Sequence, residues 1–281
     1  MTTIDLAAAP ARRRLGMEHV RRAFGWLGPV LALAALIGLW ELAVVVFDVK
    51  EYVLPPPSAV ASEIVAQFST LMADTWVTLT EILLGLALTV VVAIPLAVAI
   101  VYSSFLRNVF YPLLVASQAI PRVAIAPLMV LWFGFGILPK VLIAFSIAFF
   151  PLVVATVVGL QSVDRDTMYL IRSMRATSLQ SFLKVRLPTA LPNIFGGLKV
   201  AVALAVIGAI VGEFVGSESG LGYLVLQGQG TLNTPLIFAS VTLMAVLGII
   251  LFYIVEIVER ITIHWYFAAR AAAQEGGSHE G

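Results

Sequence analysis

Apolar and polar positions alternate along this chain in long blocks rather than residue by residue. Six apolar runs, at about 26–47, 79–101, 109–135, 141–160, 194–214 and 236–258, each have the roughly 20 residues that a helix needs to cross a hydrocarbon layer. The first exceeds the apolar core of about 7–15 residues in a cleaved leader and ends in Val-Val-Val-Phe-Asp, so it reads as a retained span. The third contains Pro112, Pro121 and Pro127, too many for one smooth helix. Backbone breaks at membrane depth need protein or a watery cavity to satisfy the freed groups, so this segment is expected to face the interior. Pro95 and Pro151 predict kinks in the second and fourth spans.

The polar blocks carry their own signals. Residues 50–74 begin with Leu-Pro-Pro-Pro-Ser at 54–58, an extended lead in which Ser58 suits an N-cap. Val60, Ile64, Phe68 and Leu71 then form a helical stripe, predicting a surface helix on the outer face. Gly134, Gly136 and Pro139 predict a tight outer turn with Lys140. Residues 215–235 hold no Lys or Arg and read as an outer loop.

Between the fourth and fifth spans lies the one long polar interruption of the second half, residues 164–199. Thr177 and Gln180 stand at capping-box spacing, and Leu179, Phe182, Leu183 and Leu187 repeat on one helical face, away from Lys184 and Arg186. Pro188 is expected to stop that helix. A short rigid ridge with an apolar face has two readings: a helix lying on lipid headgroups, or a docking element for a soluble partner.

Composition turns these runs into a class. The chain is 60% hydrophobic and 12% charged, with a mean hydropathy of +1.02. Its expected fold is an all-α integral membrane protein of six transmembrane helices with a cytoplasmic helical loop. Charge sets the orientation. Fourteen Lys and Arg fall at the amino terminus, near Arg107, in the central loop or after the sixth span; Lys50 and Lys140 fall on the other side. The basic side is the cytoplasmic one, which puts both termini inside. The expected organisation is a cytoplasmic segment at 1–25, a membrane domain at 26–265 with its loop at 164–193, and a disordered cytoplasmic tail at 266–281. A net charge of +1, segregated by topology, gives no basis for nucleic-acid binding.

Chemistry is sparse. Cysteine is absent, and His19, His264 and His279 have no ligand spacing, so no metal site or cofactor is expected. No nucleophile motif or acid–base pair suggests an enzyme. Four charges stand among apolar neighbours: Glu41, Glu81, Arg122 and Glu213. Each costs about 2.5–3.5 kcal/mol near the membrane centre and calls for a compensating partner or a role. Glu41 and Glu81 read as structural. Arg122 reads as an attractor for an anionic solute or as a structural pair, and Glu213 as a gate or as an outer contact; these two are the candidates for a translocation path. Gly196, Gly197, Gly208 and Gly212 permit close helix approach.

The central loop resembles the cytoplasmic "EAA" loop of ABC-importer permeases in its second half, Val185-Arg186-Leu187-Pro188. Tyr169, Leu170 and Ile171 replace its Glu-Ala-Ala, and Arg175 stands at its glycine, so either the turn is right-handed here or some strain is carried. LPPPSAV at 54–60, IPRVAIAPLMVLWFGFG at 120–136, FFPLVV at 149–154 and EFVGSESGLGYL at 213–224 resemble permeases of the nitrate, sulfonate and taurine importer family. Riboflavin and thiamine-precursor importers have similar permeases. The resemblance implies a multi-pass permease of the bacterial inner membrane in an assembly of two permease chains, here two copies of this one, two ABC ATPase subunits and an extracytoplasmic solute-binding protein. It would carry a small polar or anionic solute and dock its ATPase through Arg175, Thr177, Leu179, Phe182, Leu183, Val185, Leu187 and Pro188. The absence of a GxxxxGK[ST] phosphate loop agrees, since energy must then come from a partner or an ion gradient. A secondary transporter driven by such a gradient is the alternative; it should show an internal repeat of broken helices, and none is evident.

Overall fold

Helices make up the whole regular structure of the described residues, as a lipid-embedded backbone that must satisfy its own N–H and C=O groups requires. The computed structural model describes the backbone over residues 14–266 and side chains from Gly28 onward. The first thirteen residues and the expected tail beyond Tyr266 lie outside that range. In chain order the helices are α1 (Arg14–Val46), α2 (Pro57–Ala66), α3 (Phe68–Tyr102), α4 (Tyr111–Ala116), α5 (Ala126–Phe133), α6 (Ile137–Gln161), α7 (Arg165–Ser173), α8 (Ser178–Ser181), α9 (Leu187–Gly216), α10 (Leu221–Thr231) and α11 (Thr234–Thr262). Among the described residues, five stretches are long and apolar enough to cross a membrane. The remaining expected span is the proline-rich third one, and it is bent by 86° between 106–119 and 122–133.

The prolines are accommodated in an unexpected way. Pro188 does not stop its helix, because Ser178–Gly216 runs as one 39-residue helical stretch. A π-helical turn, Phe182–Arg186, precedes the proline, and the Leu187 N–H reaches back to the Phe182 carbonyl. Pro188 then stands in the first turn of α9, where a missing N–H is tolerated. Leu106–Phe110 is a second π-helical turn, set in the same way before Pro112. Pro95 and Pro151 lie inside continuous helices.

Other boundaries also differ from the sequence expectation. Ser58 is not an N-cap; Pro56 holds that position, and Ser58 donates from its N–H (3.0 Å) and its hydroxyl (2.7 Å) to the Glu41 carboxylate, tying α2 to α1. The stripe from Val60 breaks at Gln67, so Leu71 belongs to α3. The supposed loop at 215–235 contains α10.

The core is α6 packed along α9, with α3 against both. Ala148, Leu152, Val153 and Val157 meet Ala201, Val202, Ala205 and Ala209 in one buried cluster with Ile82, Ala93 and Ala97. Small residues set the spacing: a β-carbon on Gly208 would lie 2.5 Å from the Ala144 Cα. Gly197 and Gly212 are crowded similarly, whereas Gly196 faces open space. Lys199, expected in the polar loop, lies inside α9 and pairs with Glu259 of α11 at 2.6 Å. By contrast, the apolar part of α1 is almost uncovered.

Gly208→Val should therefore force α6 and α9 apart, lowering the unfolding midpoint of the purified chain in detergent by an amount equivalent to about 1–3 kcal/mol or more. Gly38→Ala, with nothing within 4 Å of the added carbon, should leave the midpoint equal or slightly higher. Equal losses at both positions would contradict this packing.

Candidate functional site

At one end of the helices, α7 and the stretch from Ser178 form a capped hairpin. Asp164 opens it, its carboxylate accepting the N–H groups of Asp166 (3.2 Å) and Thr167 (3.4 Å). The turn after α7 is left-handed: Arg175 has φ +57°, its N–H donates to the Arg172 carbonyl (3.0 Å), and the Ala176 N–H donates to the Ile171 carbonyl (3.3 Å). That double bond pattern closes a helix around a residue that glycine usually supplies, so arginine here carries strain of about 1 kcal/mol. The capping box is present, with Gln180 N–H on Thr177 Oγ1 (3.2 Å) and Thr177 N–H on Gln180 Oε1 (2.9 Å).

The apolar ridge divides between two surroundings. Phe182 and Leu187 pack on the core, and Phe182 meets Tyr102 of α3 edge-on at 6.1 Å. The Arg186 guanidinium lies 5.4 Å from the same tyrosine ring, and Val185 and Pro188 are half-buried. Leu179 and Leu183 are 66% and 52% exposed, and Tyr169, Leu170 and Met174 of the same hairpin are also uncovered. The hairpin is thus seated by one set of side chains and leaves another set bare.

The opposite end holds a buried polar network. Helix α10 begins with three N–H groups that have no partner within the helix, and each finds one on a neighbour. Gly220 donates to Asp74 (2.7 Å), Leu221 to the Thr78 hydroxyl (2.9 Å) and Gly222 to Glu213. The Thr78 hydroxyl in turn donates to Glu213 at 2.6 Å. Gly220 (φ +106°) and Gly222 leave room for the carboxylate, since a β-carbon at either would collide with it. Glu213 is fully buried and caps α10 from outside, where the positive end of the helix favours a carboxylate. Beside it, Lys140 of α6 pairs with the buried Glu81 of α3 and donates to Ser217 at 2.8 Å. Both groups line a cavity of about 520 Å³ with Ser217, Glu218 and Ser219.

Arg122 stands at the break of the bent segment, away from this network. It donates to the Ile147 carbonyl at 3.4 Å and lies 4.2 Å from the centre of the Phe150 ring, with Nη2 buried and unpartnered. No acidic side chain pairs with it among the described residues. Ile147 is seven residues along α6 from Lys140, about 10 Å deeper. Arg122 and Glu213 are therefore not brought together. Nearby, Gln118, Pro151, Asn193 and Gly196 border a cavity of about 420 Å³.

Sequence reasoning missed Asp74, Thr78 and Lys140. Lys140 was assigned to the outer turn because Gly134, Gly136 and Pro139 precede it, yet α6 starts at Ile137 and carries Lys140 on its first turn against α3. The signal was the Gly-Leu-Gly at 220–222, whose backbone amides need acceptors.

Comparison with known proteins places this geometry in a family. Residues 90–263 match the family described as "Binding-protein-dependent transport system inner membrane component". The formylaminopyrimidine transport permease ThiX of Halalkalibacterium halodurans is 36% identical, over 88% of this chain and 98% of that protein. The riboflavin transport system permease RibX of Chloroflexus aurantiacus is 36% identical, over 86% of this chain and 92% of that one. A chain solved in inward-facing conformations of the MetNI methionine ABC transporter shares the fold, with a TM-score of 0.59 and 19% identity over 71% of this chain and 97% of that chain. With more than half its length inside the family match, the chain belongs to the inner-membrane components of binding-protein-dependent transport systems: it is a multi-pass permease subunit of a bacterial ABC importer for small solutes, whose ATP is hydrolysed by a separate subunit.

Proposed function

We propose that the hairpin at 164–193 is the cytoplasmic handle through which two copies of this chain are driven by two ATPase subunits, while an external binding protein delivers solute to the other end. The exposed Leu179 and Leu183 on a doubly capped hairpin carry this reading. Arg175 and Thr177 fix the hairpin's shape, and Phe182, Val185, Leu187 and Pro188 join it to the bundle. The Lys and Arg asymmetry supports the orientation, with both termini on the hairpin's side.

Mechanical continuity then supplies the coupling. From Ser178 to Gly216 the helix is about 58 Å long at 1.5 Å per residue, so the hairpin and the far-end Glu213 belong to one lever. Close packing makes α6 move with α9, and Glu81, Lys140 and Glu213 hold α3, α6, α9 and α10 together at the far end. ATP-bound ATPases, by favouring one tilt of this unit, shift the population toward an outward-open path; hydrolysis resets it.

For the solute, Arg122 at the bent segment is the proposed attractor of an anionic group, because its guanidinium has a buried nitrogen without a partner. A second reading, a planar heterocycle held by Gln118 and Asn193, is favoured by the 36% identity to the permeases ThiX and RibX.

Leu179→Glu with Leu183→Glu should abolish co-purification of the ATPase and leave the unfolding midpoint unchanged, since both side chains are exposed. Liposomes holding the full assembly should take up solute only with ATP. Uptake by the bare chain under an ion gradient, or an ATPase still bound to the double variant, would count against the proposal. Arg122→Gln should lower uptake of an anionic solute from saturated binding protein by roughly tenfold, equivalent to about 1.4 kcal/mol. Unchanged uptake of that solute would remove Arg122 from the path.

A further inference from the structure

Arg107, Arg165 and Arg186 border a cavity of about 340 Å³ at the hairpin end, together with Gln161. They come from three separate elements: the π-helical turn after α3, the start of α7, and the π-helical turn before α9. No acidic side chain lines this cavity, and none pairs with the three arginines among the described residues. Elsewhere the bases near carboxylates are matched: Lys140 with Glu81, Lys199 with Glu259 and Arg260 with Glu256. Asp164 adjoins the cavity, yet its carboxylate is turned to the backbone of α7. Arg107 spends one N–H on the Val101 carbonyl, and Arg186 lies against Tyr102. Most of their donors remain free.

We infer that this cavity is a phosphate-binding site and that the phosphate is the headgroup of an anionic phospholipid. Three guanidinium groups around one concavity are opposite in sign to a phosphate and offer it paired hydrogen bonds. The surroundings identify the carrier. The site lies where α3 and α6 end, at the level where an apolar span gives way to polar chain. Val109 and Phe110, on the same turn as Arg107, and Phe105 just before it are exposed apolar side chains. A lipid satisfies both halves, its headgroup among the arginines and its acyl chains along that apolar face; free phosphate or an acidic side chain of the ATPase satisfies only the first. Basic pockets between spans bind headgroups by this combination.

Native mass spectrometry of the full-length chain in uncharged detergent tests the inference, with phosphatidylglycerol or phosphatidylcholine added. Phosphatidylglycerol should be retained in preference to phosphatidylcholine, and Arg165→Gln should reduce the retained fraction about fivefold. Arg172→Gln removes an exposed base of the same hairpin outside the cavity and should change it little. Excess inorganic phosphate, or added ATPase subunit, should leave the lipid bound. Equal retention of the two lipids, an equal loss in both variants, displacement by inorganic phosphate or displacement by the ATPase would each overturn the assignment.

Discussion

The contact of α6 with α9 is the constraint on which the rest depends. Lipid surrounds these helices with chains as apolar as their own side chains, so burial of apolar area gives little reason for two spans to associate. Close packing supplies that reason, and it requires backbones to approach. Gly208 against Ala144, with Gly197 against Ala155 and Gly212 against Lys140, permits the approach. Once made, the contact fixes where the hairpin and the far-end network stand relative to each other, because both are built on the same pair of helices.

Polar groups are handled by two devices that suit this setting. Before Pro112 and Pro188 a π-helical turn lets the helical stretch continue rather than end. At the far end, a helix start that would leave N–H groups bare in an apolar interior is completed by Asp74, Thr78 and Glu213 from two other helices. Buried charges of this kind are costly alone; here Glu213 accepts from the Thr78 hydroxyl and the Gly222 N–H, and Glu81 pairs with the Lys140 ammonium, which specifies which helices meet. Four elements thereby close around a single polar centre.

Much of this was readable from residues because lipid narrows the choices. Runs of about 20 apolar positions give helices, three prolines in one run give a break, and Thr177 with Gln180 gives a cap; each rests on local chemistry. What escaped was non-local. Pro188 looked like a stop because its local cost is clear, while relief by a π-helical turn depends on the surrounding bundle. Residues 215–235 were taken for an outer loop because they hold no Lys or Arg, and the start of α10, which borrows its three caps from other helices, carries no local helix signal. Lys140 was assigned to a turn by the glycines and proline before it, a local signal that cannot see its partner Glu81 on α3. The sign of φ at Arg175 was left open by sequence, and the bonds to Arg172 and Ile171 decide it.

In the proposed function, the bare part of the hairpin is the surface on which the ATPase pushes. The chain has no cysteine, so a single one at Leu183 gives an unambiguous attachment point. Site-specific crosslinking from that position in membranes containing the whole transporter, with and without ATP, addresses this role directly. A crosslink to the nucleotide-hydrolysing subunit, with a yield that changes with nucleotide, is expected; labelling of that cysteine from the external face, or crosslinks that never capture the ATPase, would rule this role out.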